Sequence, residues 1–141
     1  MASKSDKLKL LATVPLFADC SKRELGHVAK AGREIDVEAG SVIAEQGQMG
    51  REAFVILDGE VAVRRGGRKI ATLTAGDVVG EMSLLDRGPR SATVVADTET
   101  ALLVLGKDEF RSVVEQHPSI AYKMLETLAE RIRTLDRKHF G

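Results

Sequence analysis

The chain of 141 residues is long enough to bury one core without disulfide or metal staples, and its 21 Lys+Arg offset its 21 Asp+Glu. A formal net charge of zero leaves no global basic field to hold nucleic acid by counterion release. The lone Cys20 cannot close an internal disulfide, and the polar start Met1-Ala2-Ser3-Lys4-Ser5-Asp6 leads into no apolar run near the roughly 20 residues of a membrane span, so a cytoplasmic protein with no signal peptide and no membrane partner is expected.

Leu8, Leu11 and Val14 fall at helical spacing and predict a short amphipathic helix over 4–14, which Pro15-Leu16-Phe17 breaks. Ser21 with Glu24 three residues on forms a capping-box pattern that opens a second helix, and Gly32 is its expected terminator. From Glu34 the period changes. Short apolar runs at Val42-Ile43, Phe54–Leu57, Val61–Val63, Ile70–Leu73, Val78-Val79, Thr93–Val95 and Leu102–Leu105 alternate with turn residues. Asp58-Gly59 and Gly66-Gly67 mark tight turns among them. After Gly106 the helical period returns, with Phe110, Val113 and Val114 on one side of a helix from Lys107 to about Gln116. Pro118 suits the first turn of a long helix to about Arg137, extending on the order of 30 Å. Ala121, Leu125, Leu128, Ile132 and Leu135 form a heptad seam along it, which either packs on the helix's own domain or pairs with a second copy.

The expected fold is mainly β with flanking helices: an antiparallel, jelly-roll-like β-roll. One domain is read over residues 1–141, with N-terminal helices in 4–32, the β-roll in 34–105 and C-terminal helices in 107–137.

The stretch from Gly80 to Val94 carries the chemistry. Arg90 offers a planar fork that matches phosphate oxygens and stays charged at cellular pH, and Ser91 adds a hydroxyl beside it. Met82 to Leu85 holds no Gly or Pro and can form one helical turn whose free N–H groups face an anion. Glu81 would repel a phosphate, a conflict that disappears if it accepts from a hydroxyl such as a ribose 2′-OH. Glu81 paired structurally with Arg90 is the alternative. Of Met82 and Leu84, one can lie against a ligand while the other faces the core. Asp86 and Arg87 are read as solvated.

Gly80-Glu81, a short apolar helix and then Pro89-Arg90-Ser91-Ala92-Thr93 resemble the phosphate-binding cassette of cyclic nucleotide-binding domains of the catabolite activator and protein kinase A regulatory type. Gly40, Gly47, Phe54, Gly59, Gly76 and Asp77 stand where that family places turn glycines and core strand residues, and the similarity runs from about Leu10 to about Leu135. The resemblance implies a non-catalytic sensor that binds cAMP, with cGMP as the other candidate. The implied contacts are Val79, Gly80, Glu81, Met82, Ser83, Arg90, Ser91 and Ala92, joined from the long helix by Arg131 and Leu135 near Thr134. The polar pair that the family uses for adenine is not plainly present, since Leu135 and Asp136 fall about where it would be. Ligand is expected to draw this helix over the pocket, and the helix to pair in a homodimer. Only Lys138-His139-Phe140-Gly141 follow Arg137, too few for a helix-turn-helix, so direct DNA binding is not expected. The downstream protein partner is unknown.

Other features are read blandly. Arg64-Arg65-Gly66-Gly67-Arg68-Lys69 is a solvated hairpin tip, and Gly76-Asp77-Val78-Val79-Gly80 lacks the spacing of a dinucleotide fingerprint. His27, His117 and His139 show no ligand spacing, so no metal is expected, and Cys20 is read as inert packing. No nucleophile–base pair or second carboxylate accompanies the cassette, so no enzyme is expected. The alternative is a protein-interaction or dimerisation domain with a vestigial pocket.

Overall fold

The computed structural model describes residues 3–140, with side chains described through Lys138; Met1, Ala2, Gly141 and the side chains of His139 and Phe140 lie outside the described residues. Helix α1 (Lys4–Ala12) starts at Ser3, whose hydroxyl accepts from the Asp6 N–H at 3.1 Å. It stops short of Val14, and Pro15–Phe17 forms a 3-10 turn of its own that buries Leu16 and Phe17. Helix α2 (Lys22–Ala31) carries the full capping box: Glu24 N–H donates to Ser21 Oγ at 3.2 Å, and Ser21 N–H to Glu24 Oε1 at 2.7 Å. Gly32 ends α2, though with an extended φ of −85° rather than a left-handed one. Its reason is space, because a Cβ there would lie 2.7 Å from Leu103 Cδ1.

Eight strands follow: β1 (Arg33–Val37), β2 (Val42–Ala44), β3 (Glu52–Asp58), β4 (Val61–Arg65), β5 (Arg68–Leu73), β6 (Val78–Val79), β7 (Thr93–Ala96) and β8 (Thr100–Gly106). They form two antiparallel four-stranded sheets in the orders β1-β8-β3-β6 and β2-β7-β4-β5, the expected β-roll. β1 is absent from the apolar runs because charged Arg33, Glu34 and Asp36 separate Ile35 and Val37. The turn between β4 and β5 holds Gly66 and Gly67, both at positive φ (58° and 79°), as a two-residue primed hairpin turn needs. Helices α3 (Lys107–Gln116) and α4 (Pro118–Phe140) close the chain.

β3 and β8 are paired in the middle of their sheet and covered on both faces, which is why they read as continuous apolar runs. Val55, Leu57, Leu103 and Leu105 meet Leu11, Phe17, Val28, Phe110 and Ile120 of the helices. Phe54, Ile56, Leu102 and Val104 point the other way, against Val61, Val79 and Val94 between the sheets. A sheet residue one step out of register would exchange these cores.

α4 is fixed at its N-terminal half by polar contacts to α2 and to the turn that precedes it. Buried Glu24 accepts from Ser119 Oγ at 2.5 Å and pairs with Lys123, while Thr127 Oγ1 donates to Asp19 Oδ2 at 2.7 Å. The seam on α4 is divided: Leu128 is half-buried and packs against the core, whereas Leu125, Ile132 and Leu135 are 62%, 59% and 55% exposed. The fully buried residues are Ile120, Met124 and Thr127, so self-packing centres on a stripe one position away from the expected one.

Burial would raise the Glu24 carboxyl, but hydrogen bonds from Lys123, Ser119 and Ser21 outweigh it and hold the pKa at about 2. The unfolded chain then takes up this proton first as pH falls, so the pair's stabilisation is present above the unfolded carboxyl pKa and lost as pH drops toward about 2. Urea unfolding at pH 7 and pH 3 should show the unaltered chain losing more stability on acidification than Glu24→Gln. The variant itself should be weaker at pH 7 by about 1–3 kcal/mol, since polar partners on α4 lose their acceptor.

Candidate functional site

Between β6 and β7 the chain leaves the roll, and its exit is a glycine in the left-handed region. Gly80 has φ 72° and ψ 33° and precedes a 3-10 turn over Glu81–Leu84. The expected helical turn thus begins one residue early and is 3-10. With four residues its dipole is small, so the attraction for an anion rests mainly on Arg90. Leu84 is buried in the core beneath the helices, while Met82 is exposed and lines a cleft, which resolves the choice between them.

Arg90 is held by its own backbone. Its N–H donates to Gln48 O at 2.7 Å, its carbonyl accepts from Gly47 N–H at 2.9 Å, and Gly50 N–H reaches Gly88 O at 3.3 Å. The guanidinium turns inward, donates from Nη1 to Ser83 Oγ at 3.2 Å and lies 5.6 Å from the Phe54 ring centroid. Two glycines clear its path. A Cβ on Gly80 would collide with Arg90 Nη1; one on Gly50 would collide with Ser83 Oγ and stand 2.9 Å from Arg90 Nε. Gly50 carries no cassette signal in the sequence, and only its proximity to Arg90 reveals its part.

Burial lowers the Arg90 pKa, and the nearby Glu52 carboxylate partly offsets this. Among the described residues no acidic side chain lies within ion-pairing distance of Arg90. Glu52 pairs instead with Arg33 at 3.1 Å. The half-buried Arg90 fork thus makes one side-chain hydrogen bond among the described residues, which leaves donors that could meet an anion.

Glu81 does not pair with Arg90. Its Oε1 lies 3.6 Å from Arg131 Nη2 on α4, and its Oε2 is buried with no hydrogen-bond partner among the described residues. A buried carboxylate oxygen without a donor is a costly arrangement. Arg131, expected near a base, is therefore engaged with the carboxylate instead. Thr134 Oγ1 donates to Glu130 O at 3.0 Å within its own helix, and Leu135 is exposed.

The cleft measures about 250 Å³. Val79, Gly80, Met82, Ser83, Asp86, Arg90, Ser91 and Ala92 line it, together with Ala44, Val63, Leu73 and Val94, an apolar bed from β2, β4, β5 and β7. Glu81, Arg131 and Leu135 lie outside that lining. Ser91 is exposed, and it is Ser83 that hydrogen-bonds the guanidinium. Arg65, read as part of a solvated hairpin tip, also lines the cleft. Asp86 and Arg87 are exposed, the carbonyl of Asp86 accepting from Lys107 Nζ at 2.5 Å. Burial raises the Cys20 thiol to about 11, in keeping with an inert packing residue. His27 and His117, distant in sequence, stack at 3.7 Å between α2 and the α3–α4 junction, and no group of three metal-ligating side chains forms among the described residues.

The family model described as "Cyclic nucleotide-binding domain" matches residues 34–117. The chain is 38% identical over 123 residues to a cyclic nucleotide-gated potassium channel of Rhizobium etli, covering 87% of this chain and 34% of the channel. It is 37% identical over 127 residues to the cyclic AMP receptor protein of Thermus thermophilus, covering 86% of this chain and 59% of that protein. Both relatives are thus much longer than the stretch they share with it. The N-terminal domain of a transcriptional regulator from Streptomyces coelicolor superposes with a TM-score of 0.85 at 29% identity, covering 91% of this chain and 95% of that one.

Gly80→Ala would place an L side chain in the left-handed region, at about 1–2 kcal/mol, and drive it into Arg90. Gly50→Ala adds only the collision. Thermal melting should order the variants Gly80→Ala below Gly50→Ala below the unaltered chain; equal melting of all three would show that the guanidinium does not need these gaps.

Proposed function

The chain belongs to the cyclic nucleotide-binding domain family, and on that premise we propose that it is a regulatory module whose Arg90 cleft binds cAMP. The observation that carries this is the inward, half-buried Arg90 with no carboxylate partner among the described residues. A cyclic phosphodiester bears one negative charge, which one guanidinium beside the Ser83 hydroxyl neutralises. Two or three phosphates would need further cations or a metal.

In this reading the phosphate sits at Arg90, with Gly80 and Ser83 below it and Ser91 and Ala92 flanking. The ribose 2′-hydroxyl donates to Glu81 Oε2, which otherwise stays buried without a partner. The base rests over the apolar bed. The 37% identity to a protein named cyclic AMP receptor protein supports adenine over guanine. Arg131, paired with the other oxygen of Glu81, ties α4 to the same carboxylate, so a hydroxyl arriving at Glu81 alters the footing of the helix. The mechanism is a population shift in which ligand favours the arrangement with α4 drawn to the cassette. The role is sensing rather than catalysis, and the setting is the cytoplasm. No helix among the described residues is long and apolar enough to cross a membrane.

A second reading has its own observation. Leu125, Ile132 and Leu135 are exposed on α4 at heptad spacing, a face suited to a second copy of this chain. The pocket could then be vestigial and the domain serve dimerisation. The two readings also combine, with a cAMP-binding dimer joined along α4.

Isothermal titration calorimetry should show tight cAMP binding that Arg90→Ala weakens by tenfold or more, since a charge-assisted hydrogen bond contributes about 1.5–3 kcal/mol. Glu81→Ala should bind cAMP more weakly and lose its preference over 2′-deoxy-cAMP. Unchanged affinity in both variants would remove the assignment. Light scattering of the unaltered chain against Leu125→Glu with Ile132→Glu should show a dimer converted to monomer. A ligand at ~100 times its Kd should add about 2.7 kcal/mol to stability, and its failure to do so would leave the vestigial-pocket reading standing.

A further inference from the structure

Arg65 is the one cleft-lining cation besides Arg90 among the described residues. It stands at the end of β4, two residues beyond Val63, and although the β4–β5 register shifts between Val63 and Arg64, both Val63 and Arg65 line the cleft. Val63 belongs to the bed of the cleft, so Arg65 forms the polar rim of an otherwise apolar platform. Its Nε donates to Ser91 O at 3.1 Å, which orients the guanidinium plane and ties the β4–β5 hairpin to the residue after Arg90. Nothing else among the described residues takes its Nη1 or Nη2 donors. Its neighbour Arg64 behaves differently, turning back to Gly67 O at 3.5 Å within the hairpin. The hairpin tip is itself anchored, because Gly66 N–H donates to Gln46 Oε1 at 3.0 Å and Gln46 N–H to Thr93 Oγ1 at 2.9 Å. The rim cation is thus set on a fixed support, with its outer donors free.

We propose that Arg65 is a base-recognition residue, donating an Nη hydrogen bond to the acceptor edge of a purine lying on the Ala44–Val63–Leu73–Val94 bed. This deepens the proposed function and rests on it. The single phosphate charge is already met by Arg90, so the acceptor left for Arg65 lies on the base. The apolar bed takes the face of the ring and leaves its edge to polar groups on the rim. Both purines carry N7 as an acceptor on that edge; guanine adds O6 beside it, while adenine presents an amino donor there. Arg65 therefore selects purines, tolerates adenine through N7 and lends guanine a second bond. Its position just before the Gly66-Gly67 hairpin signal and among Arg64, Arg68 and Lys69 hides this role in the sequence, where all four read as solvated.

The test is a titration of the unaltered chain and of Arg65→Ala with cAMP, 7-deaza-cAMP and cGMP. 7-Deaza-cAMP keeps the ring shape, ribose and phosphate but replaces N7 with a C–H. The unaltered chain should bind cAMP about tenfold more tightly than 7-deaza-cAMP, and Arg65→Ala should bind the two alike. The variant should also lose more affinity for cGMP than for cAMP. If Arg65 only positions Ser91, or only adds positive charge near the phosphate, the variant weakens all three ligands by the same factor and the proposal falls. It falls equally if the unaltered chain does not distinguish cAMP from its 7-deaza analogue. No binding of any of the three to the unaltered chain would instead overturn the underlying reading of the cleft, with this inference falling alongside it.

Discussion

A guanidinium brought inside a fold without a carboxylate to meet it is the constraint around which this molecule is arranged. Arg90 lies against Phe54, and burial depresses its pKa, the mark of a charge short of solvation. The surroundings are built to keep it there. Gly50 and Gly80 leave out the two Cβ atoms that would displace it, Ser83 takes one N–H, and the 47–50 segment grips its backbone from both sides. An ordinary surface arginine needs none of this. Holding a cation in such a place is costly, and under the proposed function an anion of matching shape would offset that cost.

The roll explains how so small a chain supports this. β3 and β8 separate two cores, and alternation along β3 sends Val55 to the helices and Phe54 to the sheet-to-sheet core on the cleft side. The same strand therefore anchors the helical layer and carries the ring beneath Arg90. Displacement of the helices and distortion of the cleft are mechanically close for that reason. They are joined again through α4, whose N-terminal half is fastened to Glu24 of α2 and to Asp19 just before it. Farther along, α4 touches the cassette through the Arg131–Glu81 contact at 3.6 Å. One end of the helix is held by short buried hydrogen bonds, and the other by a longer ion pair with a half-exposed arginine. The second is the weaker attachment, since exposed pairs contribute roughly 0–1 kcal/mol.

Glu81 occupies the meeting point. One oxygen faces the helix and the other is buried without a donor. A single carboxylate so divided joins the segment after β6 to α4 by one contact.

Local patterns in the sequence were enough for the element order, the capping box at Ser21, the Gly66-Gly67 hairpin and the cassette motif, because each depends on residues a few positions apart. β1 escaped, since its charged residues break the apolar run that marks a strand. The seam on α4 was visible as a period, but a period has no direction. Only packing against Phe17 and the α2 side chains decides that Ile120 and Met124 turn inward while Leu125 and Ile132 face solvent. The site divides in the same way. Arg90, Glu81 and Gly80 stand in one contiguous stretch and announce themselves. Gly50, Arg65 and the Arg131–Glu81 pair come from segments tens of residues away, and no spacing rule links them to the cassette. Their proximity arises from how the strands register and how the helix lies across them, and only the folded chain brings those distant backbones within reach of one another.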